Sequence, residues 1–385
     1  MHSDAPVKGL ADWPQLFDIY RSEKVRGGEI VSGRLLPGLD TSSPAVRDAL
    51  DRWPGPYESR RRAGAWELLL YRPAERRERW WLHVGLLIVT LLSTILAGDM
   101  LAGQHPIGFA PLPLGTGWSL PIPVSLRFDA LLLGAPFGVA LVAILFLHES
   151  GHYVTARHHR ISVSPPYFIP FPPYVSVIGT LGAFIRLRSP LMNRRALLEV
   201  GVAGPLASFL ASLPVLWWGL LHSRVISPAP PGIPGPYMIR FMDQEIWLGG
   251  SIIFSGMVRL LLDFGGGGEV LLLHPVAFAG WVGLFVTALN LLPISQLDGG
   301  HILYSLLGDR QQKLAFVFFA LLVPLGFLWA GWWVWAAVVF IVGRGRVGHP
   351  PVFNKERGLT RTGMTLVLAA ALVFILCVVA VPFRL

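Results

Sequence analysis

Three ionisable side chains stand at the end of an apolar segment in residues 141–152. The run Leu-Val-Ala-Ile-Leu-Phe-Leu is followed by His148, Glu149 and His152. On a helix, residues four apart share one face, so both imidazoles can bind one metal ion with Glu149 beside them. Polar groups at membrane depth are costly and usually functional. The pattern predicts a zinc hydrolase site, and the alternative is a pair of surface histidines at a helix end.

The composition predicts a chain that crosses a membrane several times. Hydrophobic residues make up 53% and charged residues 14% of the 385 residues, which is too apolar for an ordinary soluble domain. The net charge of +9 comes from arginines that flank apolar runs, so we attribute it to topology and anionic lipid and not to nucleic acid. Because Cys377 is the single cysteine, a zinc site must use His and carboxylate ligands.

Residues 1–79 predict a small soluble α+β domain. Strand-like runs at 29–36 and 65–71 enclose a helix signal at 43–52. No chemical cluster stands out in this segment, so we interpret it as a solvated cap on the membrane part. No cleavable signal peptide is visible, and we expect the segment to remain in the mature protein.

Residues 80–385 predict a transmembrane domain of six or seven helices. Arginines before the first apolar run and in the segment after residue 342, which includes Lys355 and Arg357, place the N-terminus in the cytoplasm. Residues 247–262 are too short and mixed to span, and the glycines 265–268 indicate a flexible linker. The apolar runs are 81–101, 129–156, 196–221, 276–297, 314–330, 332–342 and 364–381.

Residues 165–188 predict a re-entrant β-hairpin near the active site. Prolines at the start of this segment exclude a helix, and β-branched residues broken by glycines follow. Such backbone is tolerated at membrane depth only where protein or a water-filled cavity covers it. The strand edge could bind an unwound substrate by strand addition, or the segment could be only structural. The candidate substrate-binding residues are Gly179, Thr180, Leu181 and Gly182.

A second buried carboxylate is predicted far along the chain, at Asp298. Pro293 is expected to open the helix here and Gly299 and Gly300 to end it, so that Asp298 projects from irregular backbone. A buried Asp without a cation is costly, whereas zinc would make it a third ligand. The alternative is a helix stop with a solvated Asp.

Small residues in 201–208 predict a helix that approaches a neighbour closely. Gly204 removes the side chain at the contact, and Pro205 is expected to kink the helix. The default interpretation of this run is packing.

Together these motifs resemble the site-2 protease family of intramembrane zinc metalloproteases. The run 193–205, the hairpin before it and the N-terminal domain are most similar to a plastid and bacterial subgroup, the EGY-like (ethylene-dependent gravitropism-deficient) proteases. The resemblance is carried, in the family's order, by His148-Glu149-Ser-Gly-His152, Gly204-Pro205, and Asn290-x-x-Pro293 followed by Leu297-Asp298-Gly299.

The resemblance implies one zinc ion per chain and assigns the site residues. Asn290 would position substrate or stabilise the oxyanion, and Ser208, where relatives carry Asn, Ser or Gly, is a candidate of the same kind. The zinc ligands would be His148, His152 and Asp298, with Glu149 as the general base.

The resulting hypothesis is an intramembrane zinc metalloendopeptidase that cleaves membrane-protein substrates in or near their transmembrane segments, as in regulated intramembrane proteolysis. Its partners would be such substrates and the lipid bilayer, without nucleic acid. One alternative is an ion or proton transporter, because intramembrane His, Glu and Asp also mark conduction pathways. Another is an inactive, protease-like chaperone. The expected location is the bacterial cytoplasmic membrane, or alternatively a plastid membrane.

Overall fold

The structure is a computed structural model that describes residues 13–25, 27–62, 64–74, 77–115, 118–127, 131–229, 232–265, 268–349, 352 and 359–384. Parts of four predicted features lie outside these residues: Arg76, residues 129–130 of the second span, residues 266–267 of the glycine linker, and Lys355 and Arg357 of the basic segment. In chain order the elements are β1 (Phe17–Val25), β2 (Gly28–Leu35), α1 (Pro44–Arg52), β3 (Tyr57–Arg62), β4 (Ala65–Pro73), α2 (Trp80–Leu101), β5 (Ile107–Gly115), β6 (Trp118–Leu126), α3 (Leu131–His158), β7 (Tyr167–Pro170), β8 (Thr180–Phe184), α4 (Arg194–Leu221), β9 (Arg224–Ile226), β10 (Tyr237–Phe241), β11 (Gln244–Leu248), α5 (Ile252–Leu261), β12 (Val270–Leu272), α6 (Pro275–Asn290), α7 (Asp298–Leu307), α8 (Gln311–Leu328), α9 (Gly331–Val342), α10 (Arg361–Cys377) and β13 (Phe383–Arg384).

The N-terminal segment forms an antiparallel sheet of four strands in the order β1-β2-β4-β3. Helix α1 covers one face of this sheet through Val46 and Leu50, which are buried against Val31 and Leu68. The predicted strands and helix are all present. The outer strands β1 and β3 were missed because both are rich in charged residues, as edge strands often are, and neither shows a clear apolar alternation.

Three predicted membrane helices are confirmed as α2, α3 and α4, each long and apolar enough to cross a bilayer. Among the described residues, a fourth stretch of that kind is Asp298–Leu328, which comprises α7, a 3₁₀ turn and α8. Shorter apolar helices are α5, α6, α9 and α10. The chain is therefore a polytopic helical membrane protein with added sheets.

The span predicted at 276–297 is wrong in its extent. Helix α6 has 16 residues and ends at Asn290, and irregular backbone follows up to Leu297. Pro293 cannot donate a backbone hydrogen bond, and Ser295 adopts a left-handed φ of 51°, so the apolar run does not continue as one helix.

Further strands were not predicted in the membrane part. Strands β5 and β6 pair in the proline-rich connection after α2, and a five-stranded sheet has the order β13-β11-β10-β12-β9. The mixed segment 247–262 divides between β11 and α5. The strands of the five-stranded sheet have only two to five residues, and such short strands leave little periodic signal in a sequence.

The proline-rich segment that precedes β8 is held by polar side chains of α2. Strands β7 and β8 form the antiparallel hairpin expected in this part of the chain. Ser93 Oγ donates to Phe171 O at 2.5 Å, and His83 Nδ1 lies 3.1 Å from Pro166 O. These contacts satisfy carbonyl groups that prolines leave without regular partners. Helix α2 therefore fixes the hairpin beside α3.

Helices α3, α4 and α6 form the centre of the main core. Helix α6 is buried along almost its whole length. Gly151 of α3 lies directly against α4, because a Cβ atom there would be 2.5 Å from Ala203 O. The contact brings the two backbones together where the H-E-x-x-H motif ends, so the packing of α3 on α4 positions the site.

Candidate metal centre

Two histidines of α3 and the first residue of α7 converge on one point. The Nε2 atoms of His148 and His152 are 3.0 Å apart, and each lies 3.4 Å from Asp298 Oδ2. Tetrahedral zinc with bonds of about 2.0–2.1 Å requires ligand atoms roughly 3.4 Å apart. The two nitrogens and one oxygen therefore have the spacing and chemistry of a metal-binding group.

Asp298 reaches this point from the start of a helix, which corrects the prediction that glycines end a helix there. Gly299 and Gly300 lie in the first turn of α7. A Cβ atom at Gly299 would lie 2.0 Å from Leu291 O, so the glycine permits the preceding loop to fold back on the turn. The positive end of the helix dipole also favours the carboxylate of Asp298.

Hydrogen bonds to the outer nitrogens orient both imidazoles. His152 Nδ1 donates to Val200 O at 2.8 Å, which leaves the lone pair of Nε2 directed at the centre. His148 Nδ1 is 3.0 Å from Ser208 Oγ, and that hydroxyl is 2.8 Å from Thr287 Oγ1. Helices α4 and α6 thus supply partners for the histidines of α3.

Gly204 permits the approach of α4 to the site. A Cβ atom at this position would lie 2.1 Å from His152 Nε2. Gly204 therefore allows close packing, as predicted. The space that a side chain would fill is occupied by the imidazole of His152, a candidate metal ligand. Pro205 lies inside α4 and is buried next to it.

The motif residues line a cavity of about 200 Å³. Glu149 is buried beside the two histidines, and the backbone of Ile185 hydrogen-bonds to its carboxylate. Asn290 Nδ2 lies 3.4 Å from His148 Nε2. The cavity is lined by His148, Glu149, His152, Ala183, Phe184, Ile185, Leu187, Val200, Asn290, Gln296, Leu297, Asp298 and His301.

The structure does not bring the candidate residues 179–182 to this cavity. Thr180 is buried and its hydroxyl donates to Ile169 O at 2.8 Å, while Gly179 packs against Ser93 O with a φ of 70°. Leu181 is exposed, and a Cβ atom at Gly182 would meet open space. The later residues of the same segment, 183–185 and 187, line the cavity instead.

Ser208 also differs from its predicted place. Its side chain is not among the residues that line the cavity, and its hydroxyl is a hydrogen-bond partner of the His148 imidazole. Three further residues that line the cavity, Val200, Gln296 and His301, were not predicted. His301 lies one helical turn after Asp298, and that spacing was the available signal for it.

The histidines that follow the motif lie apart from the metal-binding group. His159 Nε2 is 2.7 Å from Glu199 Oε2, which gives this side chain an ion-pair partner on α4. His158 packs edge to face against His159. Neither is a member of the group of ligand atoms around Asp298.

One of the long apolar helices carries the H-E-x-x-H motif, and an Asp from a distant helix lies beside both histidines. These features indicate a polytopic membrane protein with a metallopeptidase-type site. The chain belongs to peptidase family M50, whose family model matches residues 136–330. The resemblance to the site-2 proteases inferred from the sequence motifs is thereby confirmed.

The similar proteins include EGY-type relatives from plants. "Probable zinc metalloprotease EGY1, chloroplastic" of Arabidopsis thaliana is 30% identical over 176 residues, which cover 46% of this chain and 30% of the relative. "Probable zinc metalloprotease EGY2, chloroplastic" of the same plant is 31% identical over 216 residues, covering 56% and 36%. The match thus spans about a third of the relatives' length. No solved structure shows significant similarity to the chain.

Proposed function

We propose that the protein is an intramembrane zinc metalloendopeptidase that cleaves peptide bonds in or near the transmembrane segments of membrane-protein substrates. The observation that carries the proposal is the convergence of His148, His152 and Asp298 on one point next to a buried Glu149. Membership of peptidase family M50 and relatives named as zinc metalloproteases support it.

Zinc is the metal that the donor set favours. Two imidazole nitrogens and one carboxylate oxygen are the ligands of catalytic zinc sites that keep a position open. When bound, zinc would polarise the scissile carbonyl and lower the pKa of a water to roughly 7. His148, His152 and Asp298 would hold the ion, and Ser208 and Val200 would hold the imidazoles in the required tautomer.

Glu149 would move the proton in this reaction. Its carboxylate is buried next to the ligands, where it can accept the proton of the attacking water and pass it to the leaving amine. The Asn290 amide, 3.4 Å from His148 Nε2, is placed to donate a hydrogen bond to a substrate carbonyl or to the oxyanion. The substrate would have to lose helicity locally to expose its backbone.

We also propose an orientation and a number of membrane spans for the chain. We place the N-terminus in the cytoplasm, count six or seven spans by including shorter apolar helices, and treat the β7–β8 hairpin as re-entrant. A domain of residues 1–79 would cap a transmembrane protease domain of residues 80–385. The membrane would be the bacterial cytoplasmic membrane or a plastid membrane, and the relatives named chloroplastic support the second possibility.

A transporter or an inactive chaperone is the less favoured function. A conduction path requires polar groups distributed along several spans, whereas His148, Glu149, His152 and Asp298 gather at one point. The presence of a base beside a full set of ligands also argues against a protein that only binds.

A cleavage assay with Glu149→Gln tests the proposed function. The full chain is reconstituted in vesicles with a model transmembrane peptide, and cleavage and bound zinc are measured together. Loss of the base should slow cleavage by at least ~100-fold while zinc remains bound. Glu245→Gln, an exposed change on β11, is the control and should leave both unchanged. Undiminished cleavage by Glu149→Gln would refute the mechanism, and zinc binding without cleavage by the wild type would favour a non-enzymatic role.

A further inference from the structure

Two larger cavities adjoin the metal cavity. One, of about 530 Å³, shares Phe184 and Leu187 with it and extends to Gly27 and Ala74 of the N-terminal segment. The other, of about 440 Å³, shares Gln296 with the metal cavity and Arg344 with the first. Shared lining residues therefore place the three cavities next to one another, between the N-terminal sheet, the segment 184–188 and the loop after α9.

Three arginines without an ion-pair partner in the described part of the chain line these cavities. Arg186, Arg344 and Arg346 are exposed, and none of them has an ion-pair partner among the residues that the structure describes. Arg188 differs, because Glu78 pairs with it through both carboxylate oxygens. Within the described part of the chain, neither of the two larger cavities is lined by Asp or Glu. We call Arg186, Arg344 and Arg346 with the cavities between them the arginine cleft.

Membrane topology alone does not account for the form of the arginine cleft. Basic residues that only set topology need to lie near the ends of spans, on any solvated surface. These three instead come from two distant segments and line cavities that adjoin the metal cavity. A concave surface of one charge sign focuses its electric field and raises the local concentration of counter-charged groups.

We propose that the arginine cleft binds an acidic segment of the substrate polypeptide, next to the bond that is cleaved. The inference rests on the proposed function, since a polypeptide held at the metal must leave the metal cavity through an opening. The two larger cavities adjoin the metal cavity at Phe184, Leu187 and Gln296, so the segment next to a bond held at the metal is the part of a polypeptide that the three arginines can meet. The positive charge of the arginine cleft is complementary to an acidic segment at that position.

The test compares model transmembrane peptides with identical apolar segments and with glutamate, glutamine or lysine flanks. Wild-type protein in phosphatidylcholine vesicles should cleave the glutamate-flanked peptide about five-fold faster than the glutamine-flanked one, as expected for three partly exposed ion pairs. The triple change Arg186→Gln, Arg344→Gln and Arg346→Gln should remove that preference. Arg47→Gln, Arg61→Gln and Arg62→Gln, at exposed positions of the N-terminal sheet and helix, form a control with the same change in net charge and should retain it.

A binding measurement separates this inference from the proposed function. Anisotropy of the labelled glutamate-flanked peptide is followed with Glu149→Gln protein, with and without the three Arg→Gln changes, so that no cleavage is needed. If the combined variant binds the peptide as tightly as Glu149→Gln alone, the proposed role of the arginine cleft is wrong, even if the wild type cleaves. Weaker binding supports it even if no peptide is cleaved.

A charge-reversal variant distinguishes the loss of charge recognition from a folding defect. Arg186→Glu, Arg344→Glu and Arg346→Glu together should transfer the preference to the lysine-flanked peptide, a gain that a misfolded protein cannot show. Equal cleavage of all flanks by the wild type would overturn the inference. So would a dependence on added phosphatidylglycerol that the Arg→Gln changes abolish without altering flank preference, because the arginines would then bind lipid.

Discussion

A single hydroxyl holds one of the two candidate imidazole ligands. Ser208→Ala removes the partner 3.0 Å from His148 Nδ1, and we expect zinc affinity to fall about 10-fold or more, as is typical when such a partner is lost. Ser212→Ala, one turn further along α4, is the matched control. Its hydroxyl donates only to Ser208 O of its own helix, so zinc affinity should be unchanged. The measurement is competition for zinc against a fluorescent chelator. Equal affinities of the two variants would show that Ser208 does not orient His148.

At the residue scale, the sequence predicted the groups that converge at the candidate metal centre but not those that hydrogen-bond to them. His148, Glu149 and His152 follow from local spacing on one helix, and Asp298 follows from the cost of an unpaired carboxylate in an apolar run. The role of Ser208 depends on how α4 packs against α3, which local spacing does not encode. The substrate role predicted for Ser208 came from the family resemblance alone.

The absence of a side chain at Gly204 allows α4 to pack closely against α3. Gly204→Ala places a methyl group where a Cβ atom would be 2.1 Å from His152 Nε2, so α4 or the imidazole must move. We expect zinc affinity to fall by more than it does in Ser208→Ala. Gly85→Ala is the control, because a Cβ atom at that position of α2 meets nothing within 4 Å. Zinc content after dialysis against a chelator is the readout, and full zinc retention by Gly204→Ala would contradict the close packing.

At the element scale, long apolar helices were predictable and broken ones were not. Helices α2, α3 and α4 follow from uninterrupted apolar runs of spanning length. The run 276–297 gave the same signal, although Pro293 and the left-handed Ser295 divide it after α6. Whether a proline kinks a helix or ends it depends on tertiary contacts, here the fold-back of residues 291–297 on the first turn of α7.

At the scale of the whole molecule, the N-terminal sheet is docked onto the membrane part by polar contacts. Tyr71 Oη donates to Arg188 O at 3.1 Å, and Arg160 Nη1 donates to Leu50 O at 2.7 Å. The sequence predicted the sheet and the helices separately. It could not predict this contact, because residues separated by more than a hundred positions pair without any local pattern.

The ion pair between Glu78, in the connection between β4 and α2, and Arg188 makes the stability of the protein dependent on pH. The hydrogen bond from Arg188 lowers the pKa of Glu78 below its ordinary value of 4.5. A carboxylate with a lowered pKa in the folded protein contributes stability that is fully present above the ordinary value and is lost as the pH falls through the lowered one. Glu78→Gln should therefore lower the free energy of unfolding by about 1 kcal/mol at pH 7. The difference from the wild type should shrink as the pH falls below 4.5.

Calorimetry of the full chain in detergent, at pH 7 and at a series of acidic values, measures this difference. Glu23→Gln is the matched control, because Glu23 also pairs with an arginine, Arg21, but both side chains are more than half exposed. An exposed pair contributes little, so this variant should unfold with the wild type at every pH. A deficit of Glu78→Gln that persists unchanged into acid would assign its effect to packing. A deficit that disappears with protonation would assign it to the charge that Glu78 contributes to its pair with Arg188.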